Sequence, residues 1–310
     1  MIKDEIQPKI DSLADKLDTD MLAYFGGISD YDDFIIDQCR ERKKRKNILL
    51  LLATRGGDPN AGYRIARCLQ EAYNTCKPDA YSRSQNETKG TFTIFIDGMC
   101  KSAGTLICLG ADRIVMSGNA QLGPIDTQLR KRDEVGERES GLTPIQAMRY
   151  LEMQSTIMFK RHFTQLRFSD DLTFSTKMSA EVATELTSRL LAPVYGQIDP
   201  IRLAEVDRAV RIAGEYGKRL ENDNLKDDAI DTLLGAYPSH GFVIDRKEAR
   251  KIFKNVDEPT SELREIGDFF RNAARYYVDK TDEPFVAFLS SQKQEDSGKL
   301  KVVRDAENGK

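Results

Sequence analysis

The chain has 310 residues, which is enough for one large α/β domain with an added helical layer. Its formal net charge of −3 argues against a nucleic-acid partner. Five cysteines without metal-type spacing predict reduced, buried thiols, and no segment approaches the roughly 20 apolar residues of a membrane span. We therefore expect a cytoplasmic protein that has no membrane span and needs no metal or other cofactor.

The N-terminal half alternates apolar runs with helical patterns. Residues 1–20 predict a separate amphipathic helix, and a first strand is predicted at 21–25. The apolar run 48–53 predicts a buried strand that opens into the turn Thr54-Arg55-Gly56-Gly57-Asp58. Strands that alternate with helices indicate a largely parallel sheet with right-handed crossovers, so residues 21–142 are predicted to form the α/β core.

The stretch Lys101-Ser102-Ala103-Gly104-Thr105 lies between a strand-like run at 91–96 and an apolar helix start at 106–110. A serine among small residues at a strand-to-helix turn can present its hydroxyl as a nucleophile. The Gly56-Gly57 turn could supply backbone N–H groups for an oxyanion hole. In isolation, Ser-Ala-Gly at a helix start is more often only a cap, so the pairing with the glycine turn carries the hypothesis.

The C-terminal half is predicted to be helical. Residues 143–290 are expected to pack on the core and to form an oligomer interface, beginning with a Met- and Leu-rich helix capped by Thr143. Residues 291–310 are polar and predict a disordered tail.

The order "LLLATRGGDPNAGYRIARCL" followed by "FTIFIDGMCKSAGTLICLGADRIVMSGNAQLGPIDTQL" resembles the ClpP/crotonase-type serine peptidases. Within that superfamily it is similar to the soluble branch called serine dehydrogenase proteinases, which is related to signal peptide peptidase A. The likeness covers residues 21–129, and residues 237–249 resemble a second, histidine-containing segment of the branch. It implies an α/β ClpP/crotonase-like core of repeated ββα units with an extended helical C-terminal half.

The resemblance also implies an activity and its residues. The activity is that of a serine endopeptidase that cleaves peptide or protein substrates through an acyl-enzyme on Ser102, with the oxyanion held by the N–H groups of Gly57 and Ala103. Gly56, Pro124 and Asp126 are implied to lie along the substrate groove. Relatives assemble as rings or stacked trimers, so a homo-oligomer is expected.

The sequence leaves the identity of the general base open between two residues. ClpP relatives carry a catalytic histidine in the segment corresponding to "NAQLGPIDTQ", and no histidine is present there. Signal peptide peptidase A relatives use a lysine, which must be partly desolvated so that its pKa falls. The segment "FSTKMSAE" resembles that arrangement and makes Lys177 the preferred candidate. His240, in "YPSHGFVID", is the second candidate.

Two other functions compete with the peptidase. The first alternative is a catalytically degenerate ClpP-like scaffold that binds peptides or a partner. A degenerate enzyme of this kind would lack a clearly identifiable general base. The second is a crotonase-like acyl-CoA enzyme, which the nucleophile-type "KSAGT" disfavours. A dehydrogenase is rejected, because the chain contains no Gly-x-Gly-x-x-Gly dinucleotide turn.

Overall fold

The computed structural model describes most of the chain, in six segments: residues 2–75, 89–125, 128–130, 138–140, 142–168 and 174–291. Within these segments there are ten strands. Their bounds are β1 (Thr19–Phe25), β2 (Asn47–Ala53), β3 (Phe92–Ile96), β4 (Met99–Cys100), β5 (Arg113–Met116), β6 (Gln121–Leu122), β7 (Gln128–Arg130), β8 (Arg138–Ser140), β9 (Val256–Asp257) and β10 (Phe285–Phe288).

The same segments contain ten helices. Their bounds are α1 (Ile2–Lys16), α2 (Asp32–Arg42), α3 (Pro59–Ala72), α4 (Ala103–Leu109), α5 (Leu142–Phe168), α6 (Thr176–Tyr195), α7 (Pro200–Leu220), α8 (Ala229–Gly235), α9 (Arg246–Ile252) and α10 (Ser261–Lys280). None of them, over the residues the structure covers, is long and apolar enough to cross a membrane.

The centre of the protein is a six-stranded sheet in the order β10-β1-β2-β3-β5-β9. Neighbouring strands are parallel except β10, which runs antiparallel to β1 at one edge. Helices cover both faces, and this explains why β2 is apolar at nearly every position rather than at alternate ones. Leu50 and Leu52 join the core beneath α3 and α4, whereas Leu49 and Leu51 pack beneath α1 and α10. The protein is therefore a mixed α/β protein with a central sheet.

Two strands of the sheet come from the predicted helical region at 143–290. β9 pairs with β5, and β10 pairs with β1. With two and four residues respectively, these strands are too short to show a periodic pattern in the sequence. The division between a core at 21–142 and a helical region at 143–290 stays a prediction. Of the predicted tail 291–310, residues 292–310 lie outside the described residues.

A second, small layer of strand pairing lies beyond the carboxyl ends of β2, β3 and β5. β4 pairs with β6 in parallel, and isolated bridges extend this pairing. The bridges are Ile28 with Gly57, Thr54 with Cys100, and Leu122 with Ile244. This layer brings the glycine turn, the serine turn and the segment from Gln121 together, so it positions the candidate site. Whether the core consists of repeated ββα units stays a prediction.

Candidate active site

Ser102 adopts a backbone conformation that is rare for a residue with a side chain. It is the N-cap of α4, with φ 53° and ψ −117°. Of the described residues, the other non-glycine residues with positive φ are Asp18, Asn74 and Asp228, which belong to the residue types that tolerate it best. Such a conformation costs on the order of 1–3 kcal/mol and is typical of functional turns, including the nucleophile elbow of serine hydrolases.

The serine turn is held by backbone hydrogen bonds to the end of β2. The Thr54 N–H donates to Met99 O at 2.8 Å, and the Lys101 N–H donates to Thr54 O at 3.1 Å. The start of α4 is pressed against the same strand end, because a Cβ at position 104 would lie only 2.4 Å from Thr54 Cγ2. Gly104 is therefore required for the close approach that places Ser102 beside the glycine turn.

Thr105 joins the serine turn to the segment from Gln121. Its buried hydroxyl donates to Cys100 O at 3.1 Å and accepts the Gly123 N–H at 3.2 Å.

Thr105→Val keeps the shape of the side chain but leaves both backbone groups without this partner, so we expect a loss of about 1–3 kcal/mol in the free energy of unfolding. Urea denaturation measures it, with Thr105→Ser as the control that retains the hydroxyl. Equal unfolding midpoints for wild type and the valine variant would contradict this role of the hydroxyl.

Gly56 and Gly57 form the second wall of the site. Gly56 has φ +110°, and a Cβ there would lie 2.6 Å from Ser102 Cβ and 3.2 Å from its Oγ. Gly57 has φ +156°, and a Cβ there would lie 2.1 Å from Ile28 O. Neither position can carry a side chain without movement of its neighbours. The turn thus brings its backbone directly against the serine.

The N–H groups of Gly57 and Ala103 lie on the two sides of this junction. Three amides near them are paired: Gly56 N–H donates to Thr54 Oγ1, Asp58 N–H to Ile28 O, and Gly104 N–H to Lys101 O. Within the described part of the chain, the N–H groups of Gly57 and Ala103 have no acceptor. These are the two amides that the sequence resemblance assigned to an oxyanion hole.

The remaining wall consists of residues 121–125 and 237–244. Leu122 and Ile244 exchange two backbone hydrogen bonds, of 2.9 and 3.0 Å. Pro124, predicted to line the groove, is buried in this segment, and Asp126 lies outside the described residues. His240 is buried and precedes Gly241, whose carbonyl accepts a hydrogen bond from Lys101 Nζ at 2.9 Å. The structure therefore brings the His240 segment to the serine turn.

Lys177, the preferred base candidate, lies elsewhere. It is in the first turn of α6, its side chain is 87% exposed, and its Nζ is 3.9 Å from Glu181. No hydrogen bond or ion pair between the described residues joins it to the serine turn. Lys177 therefore does not have the partly desolvated environment that a lysine base needs.

Lys101 lies directly before Ser102 and is not among the predicted site residues. Burial lowers the pKa of its amine, and the neighbouring Arg55 cation lowers this pKa further. Its position beside Ser102 is the signal that the sequence offers. The small residues of the motif predict the turn, and no local pattern distinguishes the lysine from a solvated one.

Cys100, two residues before the serine, is not a competing nucleophile. It is fully buried beneath the turn, as predicted, with its Sγ 3.8 Å from Cys108 Sγ. Burial raises the pKa of the Cys100 thiol well above its ordinary value, which keeps it protonated and unreactive.

Comparison with known proteins gives limited information. No family model and no curated protein matches the chain. Among solved structures it is similar to a serine-to-alanine mutant of the 1510-N membrane-bound stomatin-specific protease, at 17% identity over 54% of this chain and 69% of that one, with a TM-score of 0.29. A lysine-to-alanine mutant of this protease with a substrate peptide matches at 16% identity over 82% and 96% of the chains, again with a TM-score of 0.29. Similarities this low carry no argument about function.

Proposed function

We propose that this protein is a serine peptidase that cleaves peptide bonds through an acyl-enzyme on Ser102. The observation that carries the proposal is the strained serine at a strand-to-helix turn, in contact with a glycine turn and beside the N–H groups of Gly57 and Ala103. A serine that served only as a helix cap would accept a hydrogen bond from its helix, and the Ser102 side chain accepts none. Strain without a capping role is what a nucleophile turn requires.

The proposed chemistry uses the two walls of the site. A base removes the proton from Ser102 Oγ, which attacks the carbonyl carbon of the scissile bond. The carbonyl electron pair moves to oxygen, where the N–H groups of Gly57 and Ala103 stabilise the oxyanion. Collapse expels the amine with a proton and leaves an ester on Ser102, which water then hydrolyses. Lys177 and His240 stay predictions for the base.

A peptide substrate is supported by the surface next to the serine turn. Phe242 and Val243 follow Gly241 in the wall segment and are 37% and 52% exposed. Phe242 stacks on Tyr237 with ring centroids 5.0 Å apart, which holds an apolar surface beside the cleft. Apolar side chains of a peptide would find contacts there.

A fluorophosphonate probe tests the proposal, because it reacts with activated serines and not with ordinary hydroxyls. We expect covalent labelling that maps to Ser102 by peptide mass spectrometry, together with cleavage of a mixed peptide library. A folded protein that stays unlabelled but binds library peptides would instead support the degenerate scaffold. Saturable binding of CoA thioesters without labelling would support the acyl-CoA alternative.

We further propose that the protein is a homo-oligomer that associates through the α5–α6 hairpin. Apolar side chains that are 40–70% exposed recur along both helices of the hairpin. They are Tyr150, Met153, Ile157 and Phe168 with Met178, Leu186, Leu190 and Val194. A second copy of the chain is the occupant that covers such a self-complementary face.

Light scattering at micromolar concentration is expected to give a mass that is a multiple of 35.1 kDa. Met153→Glu combined with Ile157→Glu places two charges on one face of α5, and we expect it to return the mass to that of one chain. Lys254→Glu, at an exposed position outside the hairpin, controls for added charge alone. A wild-type mass of one chain would refute the oligomer.

A further inference from the structure

We propose that Lys101 is the general base that removes the proton from Ser102. The inference rests on the proposed peptidase function and assigns a catalytic residue to it. Three features of the described residues support it: where the side chain is seated, what its amine contacts, and which charges surround it.

The stem of Lys101 is seated on Gly123. A Cβ at position 123 would lie 3.2 Å from Lys101 Cβ, 3.2 Å from its Cγ and 3.3 Å from its Cδ. Gly123 thus has no side chain of its own between residues 121–125 and the serine turn, and the lysine stem fills this space. The stem of Lys101 therefore lies against Gly123 up to Cδ, and Cε and Nζ extend beyond this contact.

The amine of Lys101 contacts a neutral acceptor. Its Nζ donates to Gly241 O at 2.9 Å, and no carboxylate among the described residues pairs with it. Lys177 is paired with Glu181, and Arg55 is paired with Asp279 at 2.7 Å. A neutral lysine can donate one N–H to a carbonyl while its lone pair accepts the serine proton, whereas a carboxylate partner would retain the ammonium form.

The surrounding groups disfavour protonation. Arg55, on the glycine turn, is the cation that faces Lys101, and residues 121–125 contain no titratable side chain. From the 237–244 segment, His240 precedes the carbonyl that holds the amine. Burial and the Arg55 charge lower the pKa of Lys101 below the usual range of lysine, which is the shift that a lysine base needs.

Rotation about the Cγ–Cδ and Cδ–Cε bonds leaves the stem against Gly123 and brings the lone pair of neutral Nζ to Ser102 Oγ. The hydroxyl proton passes to Nζ as Oγ bonds to the carbonyl carbon, and the carbonyl π pair moves to oxygen. The ammonium so formed gives the proton to the leaving amine when the C–N bond breaks. Lys101 is then neutral again and removes a proton from the water that hydrolyses the ester.

The test compares lysine variants by their rate of fluorophosphonate labelling as a function of pH. We expect Lys101→Met to lower the rate by roughly 10²–10⁴-fold, the range for loss of a general base. Lys101→Arg should show the same loss, because arginine keeps a long cationic side chain that does not deprotonate. The arginine variant decides the matter if the methionine variant does not fold.

Lys226→Met is the matched control. Lys226 also donates its Nζ to a backbone carbonyl, that of Arg250 at 2.6 Å, and it lies away from the serine turn. Its rate is expected to match wild type. The labelling rate of the wild type should rise with pH and become constant once Lys101 is neutral. We expect no such rise in the labelling rate of Lys101→Arg. Lys177→Met and His240→Gln identify the rival bases if either reproduces the loss.

A second readout does not require activity. Acetylation of individual lysines in the Ser102→Ala variant, followed against pH by mass spectrometry, compares Lys101 with Lys226 in one sample. We expect Lys101 to titrate at lower pH than Lys226.

Three results would overturn the proposal. Labelling of Lys101→Arg at the wild-type rate would do so and leave the peptidase proposal standing. Titration of Lys101 together with Lys226 would also exclude it as the base. An unlabelled wild type would remove both proposals.

Discussion

Ser102→Ala is expected to abolish peptide cleavage and fluorophosphonate labelling while the protein stays folded. Loss of a catalytic serine lowers turnover by roughly 10³–10⁶-fold in serine hydrolases. The fold should persist because the Ser102 side chain caps no amide of α4 and has no hydrogen bond within the described residues. Cleavage of the peptide library, the extent of labelling and the thermal unfolding midpoint measure the three parts of this prediction.

Ser261→Ala is a suitable control for this substitution. Ser261 is also at a helix start, as the first residue of α10, and it is exposed at a distance from the site. We expect wild-type labelling in this control. Undiminished cleavage by the purified Ser102→Ala variant would contradict the nucleophile assignment, and so would retained labelling at another serine.

Gly57→Ala is expected to impair both activity and stability. The new Cβ would lie 2.1 Å from Ile28 O, and the φ of +156° is unfavourable for alanine. Relief of the clash must shift Ile28 or rotate the turn, and either movement breaks the pairing of Ile28 with Gly56 and Asp58. We expect a loss of about 1–3 kcal/mol in the free energy of unfolding, as for other overpacked sites.

The same movement displaces the Gly57 amide from the oxyanion position. Removal of a single oxyanion donor lowers turnover by roughly 10²–10³-fold, so we expect a loss of labelling rate of at least this size. Gly27→Ala is the control, because Gly27 is in the same region and a Cβ there would meet no atom within 4 Å. Wild-type stability and labelling of Gly57→Ala would show that the turn has no such role.

Much of the fold could be predicted from local pattern. The apolar run 48–53 lies within β2 (Asn47–Ala53), and the first strand predicted at 21–25 ends, like β1, at Phe25. Such elements depend on residues that are close in sequence, so periodicity and capping residues define them. The predicted helix at 1–20 was less well bounded, since α1 ends at Lys16 and β1 begins at Thr19.

The serine and glycine turns were also predictable. Both follow apolar strand patterns, and their residue types fit the backbone conformation that each turn needs. Gly56 and Gly57 have positive φ, and small residues surround Ser102. A requirement of this kind appears in the sequence itself, because few residue types can meet it.

The environment of each base candidate depends on the tertiary structure. Lys177 was preferred from a local segment, yet its environment is solvent and Glu181. Lys101 has no distinctive local pattern, and its environment arises from Arg55, Gly123 and Gly241. The pKa of an amine depends on which groups surround it in space, and residues 101 and 241 meet only after the chain has folded.

The sequence by itself determined the positions of the two turns and most of the elements that support them, since these depend on neighbouring residues. The tertiary structure decided which distant segments close the site. It placed the His240 segment against residues 121–125 through the Leu122–Ile244 pairing, and it added β9 and β10 to the sheet. Such contacts depend on how the crossovers arrange the strands in space, and no short stretch of sequence encodes that arrangement.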